Sequence, residues 1–286
     1  MKEFAIVIFK NAILNAFRYD ILLEKGVIGM DVKRRIGACT STPDEVRILA
    51  KYGYHFFEAH FRLLREMSEP EFQALADAVT ETGLRAEGTN CFADPPMSLL
   101  ESGLDELDEY LKSSLGRPKR LGAKYIVIGS GASRMIPEGM SYEAATQKFV
   151  AMLKRYGEIA EKNDVDIVVE PLFGKATNFI TTFEEALNIC RATDHPRVGC
   201  LMDFFHSYQE GEPFSVMEKA GAYLKHIHIS ALDRRVPGSG DIDEIKRLIE
   251  ALDAIHYTGR VTLEGAVQHD FEAEMREFST LFPLFE

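Results

Sequence analysis

Four stretches decide the fold of this chain: DIVVE (166–170), RVGCLMD (197–203), LKHIHIS (224–230) and RVTLE (260–264). Each is a short run rich in Ile, Val or Leu, which reads as a buried parallel strand. Each carries an acid or an imidazole at or near its C-terminal end, namely Glu170, Asp203, His228 and Glu264. A polar loop and then a helical pattern follow each one. The same alternation recurs upstream, in RIGACT (35–40), YHFFE (54–58), LRAEGTN (84–90) and KYIVIG (124–129). Helix starts between these runs are marked. Thr42-Pro43-Asp44-Glu45 offers a cap, a proline in the first turn and acids behind it. Ser68-Glu69-Pro70-Glu71 does the same, for a helix that runs to Thr82 and stops at Gly83. Further helices are expected over 102–115, 141–163, 182–193, 215–222, 241–255 and 270–282. Eight strands alternating with eight helices predict an α/β fold, a closed (β/α)8 TIM barrel.

The barrel takes residues 34–286 as a single catalytic domain, close to the roughly 250 residues such a fold needs. Residues 1–33 precede it as an extension. Either a helix covers about Phe4–Glu24, or Met30 is the natural start and the extension is incidental. The chain has 286 residues, 46% hydrophobic and 27% charged, which is enough for one well-buried core. Its net charge of -12 argues against a nucleic-acid backbone and against an anionic membrane surface as partners. No apolar stretch reaches the ~18 residues of a membrane span, and no signal-peptide core and cleavage site stand at the N-terminus. Cys39, Cys91, Cys190 and Cys200 form no CxxC and read as buried thiols of a reducing, cytoplasmic compartment.

A lone Glu after a strand is ordinarily a solvated loop residue or a helix cap. Ligand-type side chains on four consecutive strands are a different matter, because adjacent strand tips of a closed barrel converge on one mouth. Acids and an imidazole gathered there without a counter-charge would repel and be costly to desolvate. A divalent cation resolves that. The set Glu170, Asp203, His228 and Glu264 is oxygen-rich and suits Mn²⁺ foremost, with Mg²⁺ or Co²⁺ as alternatives. Such an ion would polarise a carbonyl and acidify the neighbouring C–H, and Glu170 and Glu264 could carry the proton from either side. Return to the opposite face gives epimerisation. Return to the neighbouring carbon gives aldose–ketose isomerisation. Glu58 ends the second predicted strand and reads as a substrate-binding residue or a contact to a water near the metal; the alternative is a solvated loop acid. His226 reads as a packed inner-layer residue. Asn90 and Cys91 could line the pocket, and Phe92 and Phe173 could form its apolar wall. Gly129-Ser130-Gly131 reads as a tight turn.

The second half of the chain resembles the xylose-isomerase-like barrel superfamily of sugar isomerases and epimerases. It is most similar to the ketose 3-epimerases, the group of D-tagatose 3-epimerase. The resemblance is carried by Asp203-x-x-His206, His226-x-His228, Arg234-Arg235-Val-Pro-Gly-x-Gly and Leu263-Glu264. It implies that Glu170, Asp203, His228 and Glu264 bind a divalent metal. It also implies that His206 and Arg234 contact a sugar substrate. One position departs from the pattern. These epimerases usually carry a Glu six residues after the first metal Glu, and here that residue is Ala176, leaving Lys175 or Asn178 as candidates to replace it. A lyase of the inosose dehydratase type shares the ligand set and stands as the alternative function. An endonuclease IV-like phosphodiesterase would need more His ligands and a basic surface, and a non-catalytic sugar sensor would not need the full ligand set. A homodimer or homotetramer is left open.

Overall fold

The computed structural model describes residues 33–286, and within them Arg34–Phe285 form one compact unit. The alternatives for Phe4–Glu24 and Met30 lie outside the described residues. Eight parallel strands pair in chain order and close on themselves. They are β1 (Arg35–Cys39), β2 (Phe56–His60), β3 (Ala86–Asn90), β4 (Tyr125–Ile128), β5 (Asp166–Val169), β6 (Val198–Asp203), β7 (Leu224–Ile229) and β8 (Arg260–Leu263).

The outer helices begin where their caps stand. Thr42 accepts from the Glu45 N–H, and Ser68 and Glu71 close a reciprocal capping box. The helix Tyr142–Asn163 shows why they pack. Its residues Ala145, Phe149, Met152, Leu153, Tyr156 and Ala160 recur every three or four positions and are all buried, so one stripe lies on the barrel wall. No helix among the described residues is long and apolar enough to cross a membrane, and all four cysteines are free thiols.

Two departures from the sequence pattern bear on the site. β2 runs on to His60, two residues past Glu58, which therefore lies inside the strand and not at its tip. The crossover from β6 to β7 holds no helix over 215–222. It has the short helix Phe204–Gln209 directly after Asp203, then 3₁₀ turns at Phe214–Lys219 and Gly221–Tyr223. The apolar residues Phe214, Met217 and Ala220 are spaced by three, which is the 3₁₀ repeat.

Candidate metal centre

The four strand-end residues meet at the C-terminal mouth of the barrel. Glu170 follows β5, and its N–H donates to the Ile128 carbonyl at 3.1 Å, which holds its backbone in register with β4. Asp203 is the last residue of β6, and its Oδ1 also accepts from the His206 N–H at 2.9 Å, capping the helix that follows. His228 sits in β7 beside Asp203, and Glu264 follows β8 with its N–H on the Ile229 carbonyl. One ligand atom from each lies within 4.8 Å of all the others. Two ligands held at 2.0–2.6 Å from a single ion are at most about 5 Å apart, so the group has the size of one coordination shell. His228 Nδ1 is the hub, at 3.0 Å from Glu264 Oε2, 3.2 Å from Glu170 Oε1 and 3.9 Å from Asp203 Oδ2.

The charge of this group is unbalanced. Three carboxylates crowd one imidazole, and the guanidinium of Arg234 is the counter-charge at the rim. Arg234 donates to Asp203 Oδ2 at 2.8 Å and to Glu264 Oε2 at 2.6 Å. Burial alone would push the His228 imidazolium down, but the Glu58 and Glu264 carboxylates outweigh it and raise its pKa well above the ordinary range. The two glutamates are driven apart. Burial and the neighbouring Glu264 raise Glu170. Burial would raise Glu264 too, but His228 and Arg234 overcome it and lower it. Both Glu264 oxygens are held, Oε1 by the Asn90 amide at 2.9 Å and Oε2 by Arg234. Glu170 lies against the backbone of Gly129, where an added Cβ would come within 2.0 Å of its Oε2. A largely buried set of three carboxylates and one imidazole, short of positive charge, is a donor set that fits a hard divalent cation.

The remaining sequence-derived residues are placed as follows. His206 stands on the mouth side, its ring stacked on Phe173 at 5.3 Å between centroids. Phe173 also packs on Phe205 at 5.4 Å, and Arg234 lies over the Phe205 ring at 5.2 Å. Arg234 and the Phe173–Phe205–His206 lip thus border the ligands directly. Phe92 does not border the mouth. It is fully buried between Phe61 and Tyr110 in the helical layer. Asn178 binds the backbone of Ile136 on both sides, N–H and C=O, and so joins the loops after β4 and β5. Glu58 is corrected. It is fully buried beneath His228, with Oε1 at 3.1 Å from His228 Nε2, so it is neither a solvated loop acid nor open to substrate. The cause is the longer β2, which puts Glu58 one layer below the mouth. His226 is in the inner layer, as its position two residues before His228 suggested.

Two residues have partners that the sequence does not show. Asn90 ends β3, and nothing in its run announces that its amide holds Glu264. Arg134 is fully buried, and its guanidinium donates to the carbonyls of Ile128 at 3.3 Å, Glu170 at 2.6 Å and Ile180 at 3.3 Å. It ties the end of β4 to the ligand strand, and burial lowers its pKa to about 10. The 3₁₀ turn Gly131–Arg134 delivers it there, which is what the Gly129-Ser130-Gly131 turn serves.

Residues 46–279 match the family described as the xylose isomerase-like TIM barrel. The chain is 31% identical to D-psicose 3-epimerase of Ruminiclostridium cellulolyticum over 123 residues, 43% of this chain and 42% of that protein, so the match spans less than half of that relative. It is 25% identical to 3-dehydro-D-guloside 4-epimerase of Escherichia coli (strain K12) over 244 residues, 81% of this chain and 89% of that one. Among solved structures, D-allulose 3-epimerase from Methylomonas sp. shares the fold at a TM-score of 0.77 and 17% identity, over 88% of this chain and 98% of that one. Since the family match takes in β2 to β8 and all four ligand-type residues of the mouth, this chain belongs to the xylose isomerase-like TIM barrel family.

Proposed function

We propose that this chain is a divalent-metal-dependent sugar epimerase or isomerase, moving a proton at the carbon beside a carbonyl through an enediolate. One observation carries the reading. Glu170 and Glu264 reach the same imidazole nitrogen of His228, at 3.2 and 3.0 Å, from β5 and β8. Two carboxylates aimed at one point from opposite parts of the barrel can serve the two faces of a carbon placed between them. Glu170, Asp203, His228 and Glu264 would hold the ion, which when bound would polarise the substrate carbonyl and acidify the adjacent C–H. Mn²⁺ suits the set best.

The residues divide the work by environment. Glu170 has the raised pKa and so is suited to take a proton and give it back. Glu264 is held as an anion by Asn90 and Arg234 and would receive or deliver on the opposite face. Arg234 can donate to an oxygen on which charge develops, and His206 can hydrogen-bond a distal hydroxyl. The Phe173–Phe205 lip offers an apolar face to the C–H side of a sugar. That lip, together with the long match to a 3-dehydro-D-guloside 4-epimerase, favours a closed-ring keto-sugar as a second substrate class beside open-chain ketoses.

The test is incubation with Mn²⁺ in D₂O against ketoses, aldoses, 3-keto-glycosides and inososes, read by proton NMR. We expect deuterium at one carbon beside the carbonyl, together with the epimer or isomer. Loss of a β-hydroxyl would replace this reading with a lyase. Absence of exchange with every class would end it.

A further inference from the structure

Beneath the four ligand-type residues lies a second buried group, Glu58, His226 and His228, whose ligand atoms also fall within 4.8 Å of one another. What sets it apart is that protein donors already occupy its carboxylate. Glu58 Oε1 is 3.1 Å from His228 Nε2, and Oε2 is 3.2 Å from His226 Nε2. Oε2 also accepts from the Tyr125 hydroxyl at 2.8 Å and from the Thr262 hydroxyl at 3.3 Å. Each oxygen faces one imidazole, and two hydroxyl protons take what remains of Oε2. The carboxylate accepts from four donors in a fully dry place, one at Oε1 and three at Oε2.

We infer that Glu58 is a positioning residue that fixes the tautomer and the ring orientation of His228. A neutral imidazole has one N–H and one lone pair. A carboxylate only accepts, so Glu58 at 3.1 Å keeps a proton on Nε2, and Nδ1, which faces Glu264 and Glu170 at 3.0 and 3.2 Å, is the nitrogen whose proton an ion would displace. Tyr125 holds the carboxylate in place from β4. It can cross the barrel interior because β3 carries Gly88 beside it: a Cβ at Gly88 would lie 2.1 Å from Tyr125 Cζ and 2.5 Å from its hydroxyl oxygen. Four strands thus contribute to the setting of one ring, Gly88 from β3, Tyr125 from β4, Glu58 from β2 and His228 from β7.

This inference rests on the metal-centre reading above, and the experiment separates the two. Mn²⁺ is titrated into the full, metal-stripped chain by calorimetry, for wild type, Glu58→Gln and Tyr125→Phe. The ring nitrogens of His228 are assigned by ¹⁵N NMR in the Zn²⁺-loaded protein. We expect the proton on Nε2 in wild type, Mn²⁺ affinity about 10–100-fold weaker in Glu58→Gln, and a smaller loss in Tyr125→Phe. Wild-type affinity in Glu58→Gln, or a proton on Nδ1 with the ion at Nε2, overturns the positioning role and leaves the metal centre standing. A lowered melting temperature with unchanged affinity likewise makes Glu58 a packing residue only. If Glu58→Gln does not fold, the wild-type nitrogen assignment and Tyr125→Phe decide. Failure of the wild type to bind Mn²⁺ removes both readings.

Discussion

At the mouth of the barrel, Glu170, Asp203 and Glu264 crowd His228, and a single guanidinium, Arg234, pairs with Asp203 and Glu264. At the floor the balance is reversed: Glu87, Asp164 and Asp166 are met by Arg35, Lys124, Arg197, Lys225 and Arg260. Glu87 alone is held by Arg35 and Arg260, each at 2.6 Å, and its pKa is lowered because these two guanidinium groups outweigh its burial. The same eight strands carry both ends, so topology does not explain the difference. Floor charges are paired and mostly reach water, and they serve the structure at little energetic consequence. Mouth charges are largely buried and short of positive charge, an arrangement that folding alone does not favour. The contrast marks the mouth, and not the floor, as the end of the barrel that could hold a divalent ion.

The largest effect expected from this contrast is on turnover. Glu264→Gln keeps the size of the side chain and one ligand oxygen but removes its basicity, so kcat should fall by at least ~10²-fold with metal still bound. Unchanged kcat would make Glu264 a ligand alone and end the two-carboxylate mechanism. Next is the ion itself. If it binds only the folded mouth, Mn²⁺ at a hundred times its dissociation constant should stabilise the protein by about 2.7 kcal/mol, read from urea midpoints with and without chelator. No shift would mean that Arg234 and the His228 proton already balance the mouth, as Arg35, Lys124, Arg197, Lys225 and Arg260 balance the floor.

The inner layer gives a pH signature. Burial holds His226 down at about 4, against 6.5 for the free side chain, outweighing the pull of Glu58. Between these values the unfolded chain binds a proton here that the folded chain does not. Stability contributed by neutral His226 is therefore complete above about 6.5 and lost as pH falls toward 4. The stability difference between wild type and His226→Gln should shrink on acidification by up to about 1.4 kcal/mol per pH unit in that window. A difference independent of pH would show that the ring is charged or solvated. The smallest effect is one of sign. Without metal, Glu170→Gln should raise the melting temperature, since it relieves repulsion with Glu264 and Asp203. Glu87→Gln should lower stability by no more than ~1 kcal/mol, since it leaves Arg35 and Arg260 facing a neutral amide. The same sign at both ends would break the comparison.

Much of this was legible from residues alone. The count of eight strands, the closed barrel and the four ligand-type residues follow from short apolar runs that end in Glu170, Asp203, His228 and Glu264. These signals are local: a strand's period, a helix cap and a tip residue can all be read within a dozen positions. The substrate-side placement of His206 and Arg234 came from resemblance, and the structure puts both at the mouth, Arg234 across Asp203 and Glu264.

What sequence could not supply is depth along the barrel axis and the identity of partners across it. Glu58 and Glu170 both look like strand-end acids, yet two extra residues of β2 put Glu58 under His228 while Glu170 stands in the mouth. Phe92 and Phe173 both look like pocket walls, yet only Phe173 borders the site. Asn90, Tyr125 and Arg134 act on residues 36 to 174 positions away. Such contacts are created by closing the sheet, which brings together strand tips that are remote in the chain, and no local pattern encodes them. The sequence by itself determined that this chain is a barrel with three acids and an imidazole at its rim. The tertiary structure decided which acids share one imidazole, which of them lies out of reach, and where the positive charge is missing.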